Sequence, residues 1–240
     1  MSIIKSKKMK IPTHLAIILD GNGRWALKKG LSRSIGHKVG AKTMKEIISY
    51  CFSLNVKFLS LYCFSIDNIK REKKEVDYLL SLPEQYFNRY LNDLIKDDIK
   101  VIISGDISIL PKNSKKACEK VIEKTKDCKT HTLNICLNYG SQEEIVQTCI
   151  NICKDVKEEK IDINSINKSL FESYLYSKEL PSIDLLIRTS NEKRLSNFML
   201  YQMSYAELYF TKTLWPAFSK KDLQKAFIEF NKRKRRFGGV

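Results

Sequence analysis

The sequence predicts an α/β protein: a single domain over residues 11–240 after a basic segment at 1–10, built on an open, mostly parallel β-sheet of about six strands flanked by helices. Three observations predict it. Apolar runs of strand length alternate with longer stretches whose apolar positions recur at helical spacing, the pattern of a parallel sheet covered by helices. No apolar run approaches the ~20 residues that a membrane helix needs, and a hydrophobic content of 43% is that of an ordinary packed protein, not a disordered one. No linker, repeat or break in composition divides the series.

The elements follow in order. His14–Leu19 is the first buried strand, and a helix over about Val39–Leu54 carries Val39, Met44, Ile47, Ile48 and Cys51 near helical spacing. Phe58–Phe64 is the second strand. Lys74–Ile95 reads as one or two helices interrupted near Pro83, because an interior proline lacks an amide donor and clashes with the preceding turn. Lys100–Ile103 is the third strand, and a helix around Ser114–Lys126 leads to the fourth, Thr132–Leu137. Helices around Glu143–Lys154 and Ile166–Tyr176 precede a fifth strand at Asp184–Ile187, and Glu207–Phe210 supplies a sixth.

Charge narrows the partners. Forty-three Lys and Arg against 27 Asp and Glu give a formal net charge of +16, which calls for an anionic partner. Part of the excess sits at the ends, in Lys5, Lys7, Lys8 and Lys10 and in Lys225 and Lys232–Arg236. The seven cysteines, an odd number, contain no C-x-x-C pair and no zinc spacing; several lie in apolar runs, where a reduced thiol behaves as a small hydrophobe. With no secretory h-region, a reducing cytoplasm is expected.

In open parallel sheets ligands bind beyond the carboxyl ends of the strands, and here three of those ends are polar and carry arginine. Strand one ends in Asp20-Gly-Asn-Gly-Arg24, strand two in Ser65-Ile-Asp-Asn68 with Arg71, and strand five in Arg188 followed by Arg194 and Ser196. Gly21 and Gly23 let the backbone turn tightly and approach a phosphate. Gly21-x-Gly23-x-x-Ala26 also fits a relaxed dinucleotide fingerprint, but Asp20 would place its charge against a pyrophosphate unless a cation lay between them. A carboxylate beside a phosphate cradle instead suggests Mg²⁺; the bland reading of Asp20 is a helix N-cap. Arg188 and Arg194 offer forked donors of the kind a diphosphate takes. Of the histidines, His14 and His131 read as structural, while His37 follows the first tip in a glycine-punctuated segment.

Taken together, His14 through Trp25, Gly36-His37, Leu61 through Asn68 with Arg71, Leu186 through Phe198, Tyr205 through Phe210, Leu214-Trp-Pro and Arg235 through Gly239 resemble the cis-prenyltransferases, in that family's order, from about residue 10 onward. The resemblance implies condensation of isopentenyl diphosphate units onto an allylic diphosphate, farnesyl diphosphate, with Z double bonds. The product implied is a long-chain polyprenyl diphosphate, undecaprenyl diphosphate, the lipid-carrier precursor for cell-wall glycans. It makes Asp20 a Mg²⁺ ligand helped by Glu207. Gly21, Asn22, Gly23, Arg24, Arg33 and His37 would hold the allylic diphosphate, with Trp25 beside the first prenyl carbons. Arg188, Arg194, Leu195 and Ser196 would hold isopentenyl diphosphate. Ser65, Ile66, Asp67, Ile69 and Arg71 would contact substrate around Asn68, the family's proton acceptor, although a neutral amide is a poor base and a diphosphate oxygen is the better one. The family's C-terminal tail reaches across a homodimer, which assigns Arg236 and Gly238 to a substrate site. Helices over Val76–Leu94 and Ala117–Ile122 would line an apolar product tunnel, and the lysine-rich N-terminus suits a peripheral contact with the inner face of the membrane.

The chain departs from the family pattern at Asp67, Ile69, Glu72 and Asn191. Asn191 stands where glycine is usual, and Asn tolerates a left-handed backbone. Other readings are a eukaryote-type dehydrodolichyl diphosphate synthase, a shorter-chain synthase, an all-helical trans-prenyltransferase, an inactive partner subunit and a nucleic-acid binder. Asp97-Asp98 is followed by Ile-Lys-Val, which does not continue as Asp-Asp-x-x-Asp. The Asp-Gly-Asn-Gly-Arg motif that inactive subunits lack is intact, and no base-reading module is recognisable, so no nucleic-acid partner is expected.

Overall fold

The computed structural model describes residues 9–236. Its strands are β1 (His14–Ile18), β2 (Phe58–Ser65), β3 (Ile99–Ser104), β4 (His131–Tyr139), β5 (Leu185–Arg188) and β6 (Glu207–Phe210). Its helices are α1 (Asn22–Leu27), α2 (Arg33–Ser53), α3 (Lys73–Lys96), α4 (Lys112–Thr125), α5 (Ser141–Lys157), α6 (Lys168–Ser173) and α7 (Lys220–Lys232). The fold is α/β, with an open six-stranded sheet in the order β3-β4-β2-β1-β5-β6. The pairs β1–β5, β5–β6 and β3–β4 are parallel. The described residues divide into two compact units: 9–59 with Ile183–Lys193 and 205–236, and Ser60–Ser182 with Arg194–Ser204.

In the first unit β1 is buried at all five positions, as a parallel strand covered on both faces must be. Ile18 lies opposite Arg188 in the register, so the turns that follow β1 and β5 leave the sheet side by side. Helix α7, which the sequence reading does not include, closes this unit with a Ser219–Asp222 capping box and a buried stripe of Leu223, Ala226, Phe227 and Phe230. Helix α2 begins at Arg33, six residues before the expected start. Gly36 and Gly40 lie inside it because α1 packs against them: a Cβ on Gly36 would stand 2.2 Å from the Asn22 carbonyl oxygen, and one on Gly40 2.0 Å from Asn22 Oδ1.

In the second unit α3 packs on α4. Pro83 does not interrupt α3, correcting the expectation of a break. The helix runs through it for 24 residues, with Glu75, Leu79 and Pro83 forming its fully buried stripe. One interior amide is given up, and the proline ring is buried in exchange. Tyr62, Tyr139 and Phe198 form an aromatic cluster in which Tyr62 and Phe198 stack at 4.4 Å. Cys51, Cys118 and Cys136 are buried and all seven cysteines are free thiols; burial pushes the Cys63 and Cys118 thiols up to about 12. No helix among the described residues is long and apolar enough to cross a membrane.

Candidate functional site

The first unit gathers the charged residues of two strand tips. Beyond β1 the chain turns through Gly21, whose φ of +107° is open to glycine and strained for other residues. Gly21, not Asp20, is the N-cap of α1, so the N-cap role for Asp20 is excluded. A Cβ at Gly21 would also stand 2.8 Å from Leu214 Cδ2 and 3.2 Å from its Cα. The Asp20 backbone is fixed: its carbonyl accepts from the Thr189 hydroxyl at 2.6 Å and from the Trp215 amide at 3.0 Å. Trp215 is itself tied by its indole N–H to the Gly40 carbonyl at 2.9 Å.

On this fixed turn the Asp20 carboxylate, 26% exposed, lies between two guanidiniums. Arg24 donates to Oδ1 at 3.0 Å from the next turn of chain, and Arg188, 4% exposed at the end of β5, donates to Oδ2 at 3.0 Å. Arg24 also donates to the Ser190 hydroxyl at 2.6 Å and to Glu192 at 2.8 Å. Burial alone would push the Asp20 carboxyl up. Hydrogen bonds from Arg188, Ser190 and Arg24, with the Arg24 charge, outweigh it and leave Asp20 below its ordinary value. Ser190 and Asn191 have φ of +75° and +63°, the left-handed backbone that the sequence assigns to Asn191. Their amides are held by the carbonyls of Thr213 and Thr211 at 2.8 and 2.7 Å.

Other expected residues of this unit flank the turn. The Arg33 guanidinium lies over Gly23, where a Cβ would meet its Nη1 at 2.9 Å. His37 is half-buried in α2, and Trp25 lies under the Lys29 ammonium at 4.7 Å. The Asn22 side chain turns inward: Nδ2 donates to the Leu19 carbonyl at 3.1 Å, and Oδ1 is buried against Gly40 with no hydrogen-bond partner among the described residues. Glu207 is not gathered at this tip. It opens β6 opposite Leu185, three positions before the level of Arg188, a separation of about 10 Å along the strand, and its carboxylate accepts from Arg233 at 2.8 Å. Arg236 is exposed after α7, and Gly238 lies outside the described residues.

The second unit holds the remaining expected residues. Ser65 caps a 3-10 turn, Ile66–Lys70, in which the Asn68 side-chain oxygen accepts the Ser65 amide at 3.1 Å. Asp67 pairs with Lys70 at 2.9 Å and Ile69 is exposed. Arg71 is oriented by Glu75, a buried acid on α3, at 2.9 Å. Arg194, Leu195 and Ser196 form a loop whose Ser196 carbonyl accepts from the Tyr62 hydroxyl at 3.2 Å. The sequence reading does not include Glu75, Ser190 or Glu192. Ser190 and Glu192 reach Arg24 across more than 160 residues, whereas Glu75, four residues from Arg71 on a helical pattern, carries the one local signal that a sequence can show.

Among the described residues no cluster of three or more His, Cys, Asp or Glu side chains could cage a metal. Asp20 offers one ionised hard-oxygen donor, which fits a Mg²⁺ whose remaining ligands are phosphate oxygens and water.

An arginine–carboxylate turn at the carboxyl ends of parallel strands is chemistry that suits a phosphorylated ligand, and comparison with known proteins specifies the class. The family model Prenyltransf, described as "Putative undecaprenyl diphosphate synthase", matches residues 18–238. Isoprenyl transferases of Oceanobacillus iheyensis and Bacillus subtilis are 45% and 46% identical over 96% and 97% of this chain, and over 91% and 90% of their own length. A lavandulyl diphosphate synthase from Lavandula x intermedia, solved with dimethylallyl diphosphate, superposes with a TM-score of 0.91 at 34% identity, covering 95% of this chain and 98% of its own. A "probable undecaprenyl diphosphate synthase" from Campylobacter jejuni superposes with a TM-score of 0.76 at 33% identity, covering 96% and 100%. The chain belongs to the undecaprenyl diphosphate synthase family of cis-prenyltransferases. It is an enzyme that transfers prenyl groups.

Proposed function

We propose that the enzyme condenses isopentenyl diphosphate units onto farnesyl diphosphate with Z stereochemistry and releases a long-chain polyprenyl diphosphate, undecaprenyl diphosphate, for cell-wall glycan assembly. The observation that carries this reading is the Asp20 carboxylate with a guanidinium on each oxygen, Arg24 and Arg188, both at 3.0 Å. Two guanidiniums already oriented by an ionised acid can be taken over by a diphosphate in place of the carboxylate, and such preorganised charge favours electrostatic stabilisation. The neighbour solved with dimethylallyl diphosphate supports a prenyl diphosphate as the ligand.

In the reaction the allylic C–O bond breaks and its electron pair leaves with the diphosphate. The π pair of the isopentenyl double bond forms the new C–C bond, and the adjacent methylene loses a proton. Arg24 and Arg33 bind oxygens of the allylic diphosphate and stabilise the negative charge that grows on it, while Arg188 binds isopentenyl diphosphate. Asp20 would hold a Mg²⁺, which when bound neutralises part of that same charge. Asn68 positions substrate: its oxygen accepts the Ser65 amide and its NH2 can donate to a ligand, while a neutral amide is a poor base, so the proton goes to a diphosphate oxygen. Beyond Glu75, Leu79 and Pro83, the apolar positions of α3 are only partly buried, as a lining for a growing chain would be. A homodimer using Arg236 and Gly238 and a peripheral membrane contact through residues 1–10 belong to the same reading. An apolar strip of α5, with Val146 59% exposed, supports an association surface.

The test is incubation with Mg²⁺, farnesyl diphosphate and radiolabelled isopentenyl diphosphate, followed by sizing of the extracted lipid. A labelled lipid longer than the primer is expected, and its length separates undecaprenyl from dehydrodolichyl-type or shorter products. Absence of elongation overturns the reading.

A further inference from the structure

Arg194 and Ser196 sit on a loop that the backbone does not favour by itself. Ser196 and Asn197 have φ of +50° and +60°, and Met199 follows at +42°. Asn197 tolerates a left-handed backbone, but Ser196 and Met199 are strained in it, so the conformation must be held from outside the loop.

What holds it is the start of α5. The Ser141 amide donates to the Asn197 carbonyl at 2.8 Å, and the Gln142 amide donates to Asn197 Oδ1 at 2.9 Å. Asn197 Nδ2 donates to Glu143 Oε2 at 2.9 Å, and the Leu200 amide donates to Ser141 Oγ at 3.0 Å. Both polar atoms of the Asn197 side chain are thus bonded to the first turn of α5. Gly140 makes room for this: a Cβ there would lie 2.1 Å from Glu143 Oε2 and 2.8 Å from Asn197 Nδ2. Its own φ is −149°, extended backbone that alanine adopts freely, so glycine is needed at 140 for the closeness of the lock and not for the turn.

We infer that Asn197, with Glu143 and Gly140, is a positioning lock for the Arg194–Ser196 arm. It sets the affinity for the homoallylic diphosphate without touching it. The inference rests on the proposed reading of Arg194 and Ser196 as isopentenyl-diphosphate-binding residues. The lock acts on one substrate: the Asp20 turn is fixed by Thr189 and Trp215, which take no part in it.

Steady-state kinetics with each substrate varied separately tests this. Asn197→Ala is expected to raise KM for isopentenyl diphosphate about tenfold, the scale of one lost hydrogen bond plus a loosened arm, with KM for farnesyl diphosphate unchanged. Gly140→Ala, which displaces Glu143 and leaves the arm's sequence intact, moves the same constant in the same direction by less. Asn197→Asp keeps the acceptor for Gln142 but sets a carboxylate against Glu143; adding Glu143→Gln restores a donor–acceptor pair and is expected to recover the wild-type constant. If Asn197→Ala fails to fold, Gly140→Ala and the double variant carrying both Asn197→Asp and Glu143→Gln decide. Folded variants with unchanged KM for isopentenyl diphosphate, or with both KM values raised alike, overturn the lock, provided Arg194→Ala raises that KM. If Arg194→Ala also leaves it unchanged, the assignment of the arm fails and the lock falls with it.

Discussion

At the tips of β1 and β5 charge is held by charge, with Asp20, Arg24, Arg188 and Glu192 joined by contacts of 2.8 to 3.0 Å. The Arg194–Ser196 loop is carried mostly by neutral groups: backbone amides, the Asn197 amide, the Tyr62 hydroxyl and the Tyr62–Phe198 stack at 4.4 Å. The two constructions hold arginines for different ends. In the first the guanidiniums are already committed to carboxylates, so a diphosphate must exchange one anion for another, and the acid is left facing whatever cation the ligand brings. In the second the loop is shaped first and the arginine presented on it. Charge substitutions should therefore act mainly through the first region, and changes of shape through the second.

The largest effect is expected at Asp20. Asp20→Ala should lower kcat/KM by about 10²- to 10³-fold, the range seen when a preorganised electrostatic group is removed. It should also lower the melting temperature, because Arg188, 4% exposed, loses the carboxylate that faces it at 3.0 Å, whereas Arg24 keeps other acceptors in Ser190 and Glu192. Assays of the purified variant across Mg²⁺ concentrations check both points. Full activity in Asp20→Ala would end the comparison by showing that the ionic turn is structural.

A smaller effect is expected at Glu75, the ionic hold inside the second unit. Its buried carboxylate fixes Arg71 at 2.9 Å. Glu75→Gln keeps an acceptor of the same shape and removes the charge, so a rise of about two- to fivefold in a substrate KM is expected, with kcat little changed. If KM does not move while Asn197→Ala raises it, shape alone governs the second unit.

The legibility of the sequence follows the same division. Strand β1 and its Asp-Gly-Asn-Gly-Arg turn are visible because an apolar run, Leu15–Leu19, ending in glycines and charge has few other interpretations. Arg188 follows from the alternation of elements. Gly36 and Gly40 read as punctuation, since their purpose is contact with Asn22 on another helix, and no local pattern reveals a close approach. Pro83 argues for a break because local rules count its lost hydrogen bond and not the burial that offsets it. Helix α7 is masked by its basic composition, although Leu223, Ala226, Phe227 and Phe230 have helical spacing. Glu207 belongs by resemblance with Asp20, and only the β5–β6 register shows the two at different levels of the sheet.

The smallest effect concerns pH, and its sign follows from the ionic turn. The Asp20 pKa lies below the ordinary value of 3.8 because hydrogen bonds from two arginines and Ser190 outweigh the cost of burial. A carboxyl whose folded pKa is depressed stabilises the protein above its unfolded value, and that contribution is lost as pH falls through the folded one. Between about pH 5 and 8 the turn therefore keeps one charge pattern, and the melting-temperature difference between wild type and Asp20→Asn should be flat there. Below the ordinary carboxylate range the two curves should converge, as the wild-type carboxyl takes up a proton and loses what the amide never had. An acid limb in kcat/KM near pH 6 belongs to other groups or to the diphosphates themselves, and should appear unchanged in the residual activity of Asp20→Asn. If that limb vanished with the substitution, Asp20 would be titrating near neutrality, and the arginines would not be holding it as the geometry requires.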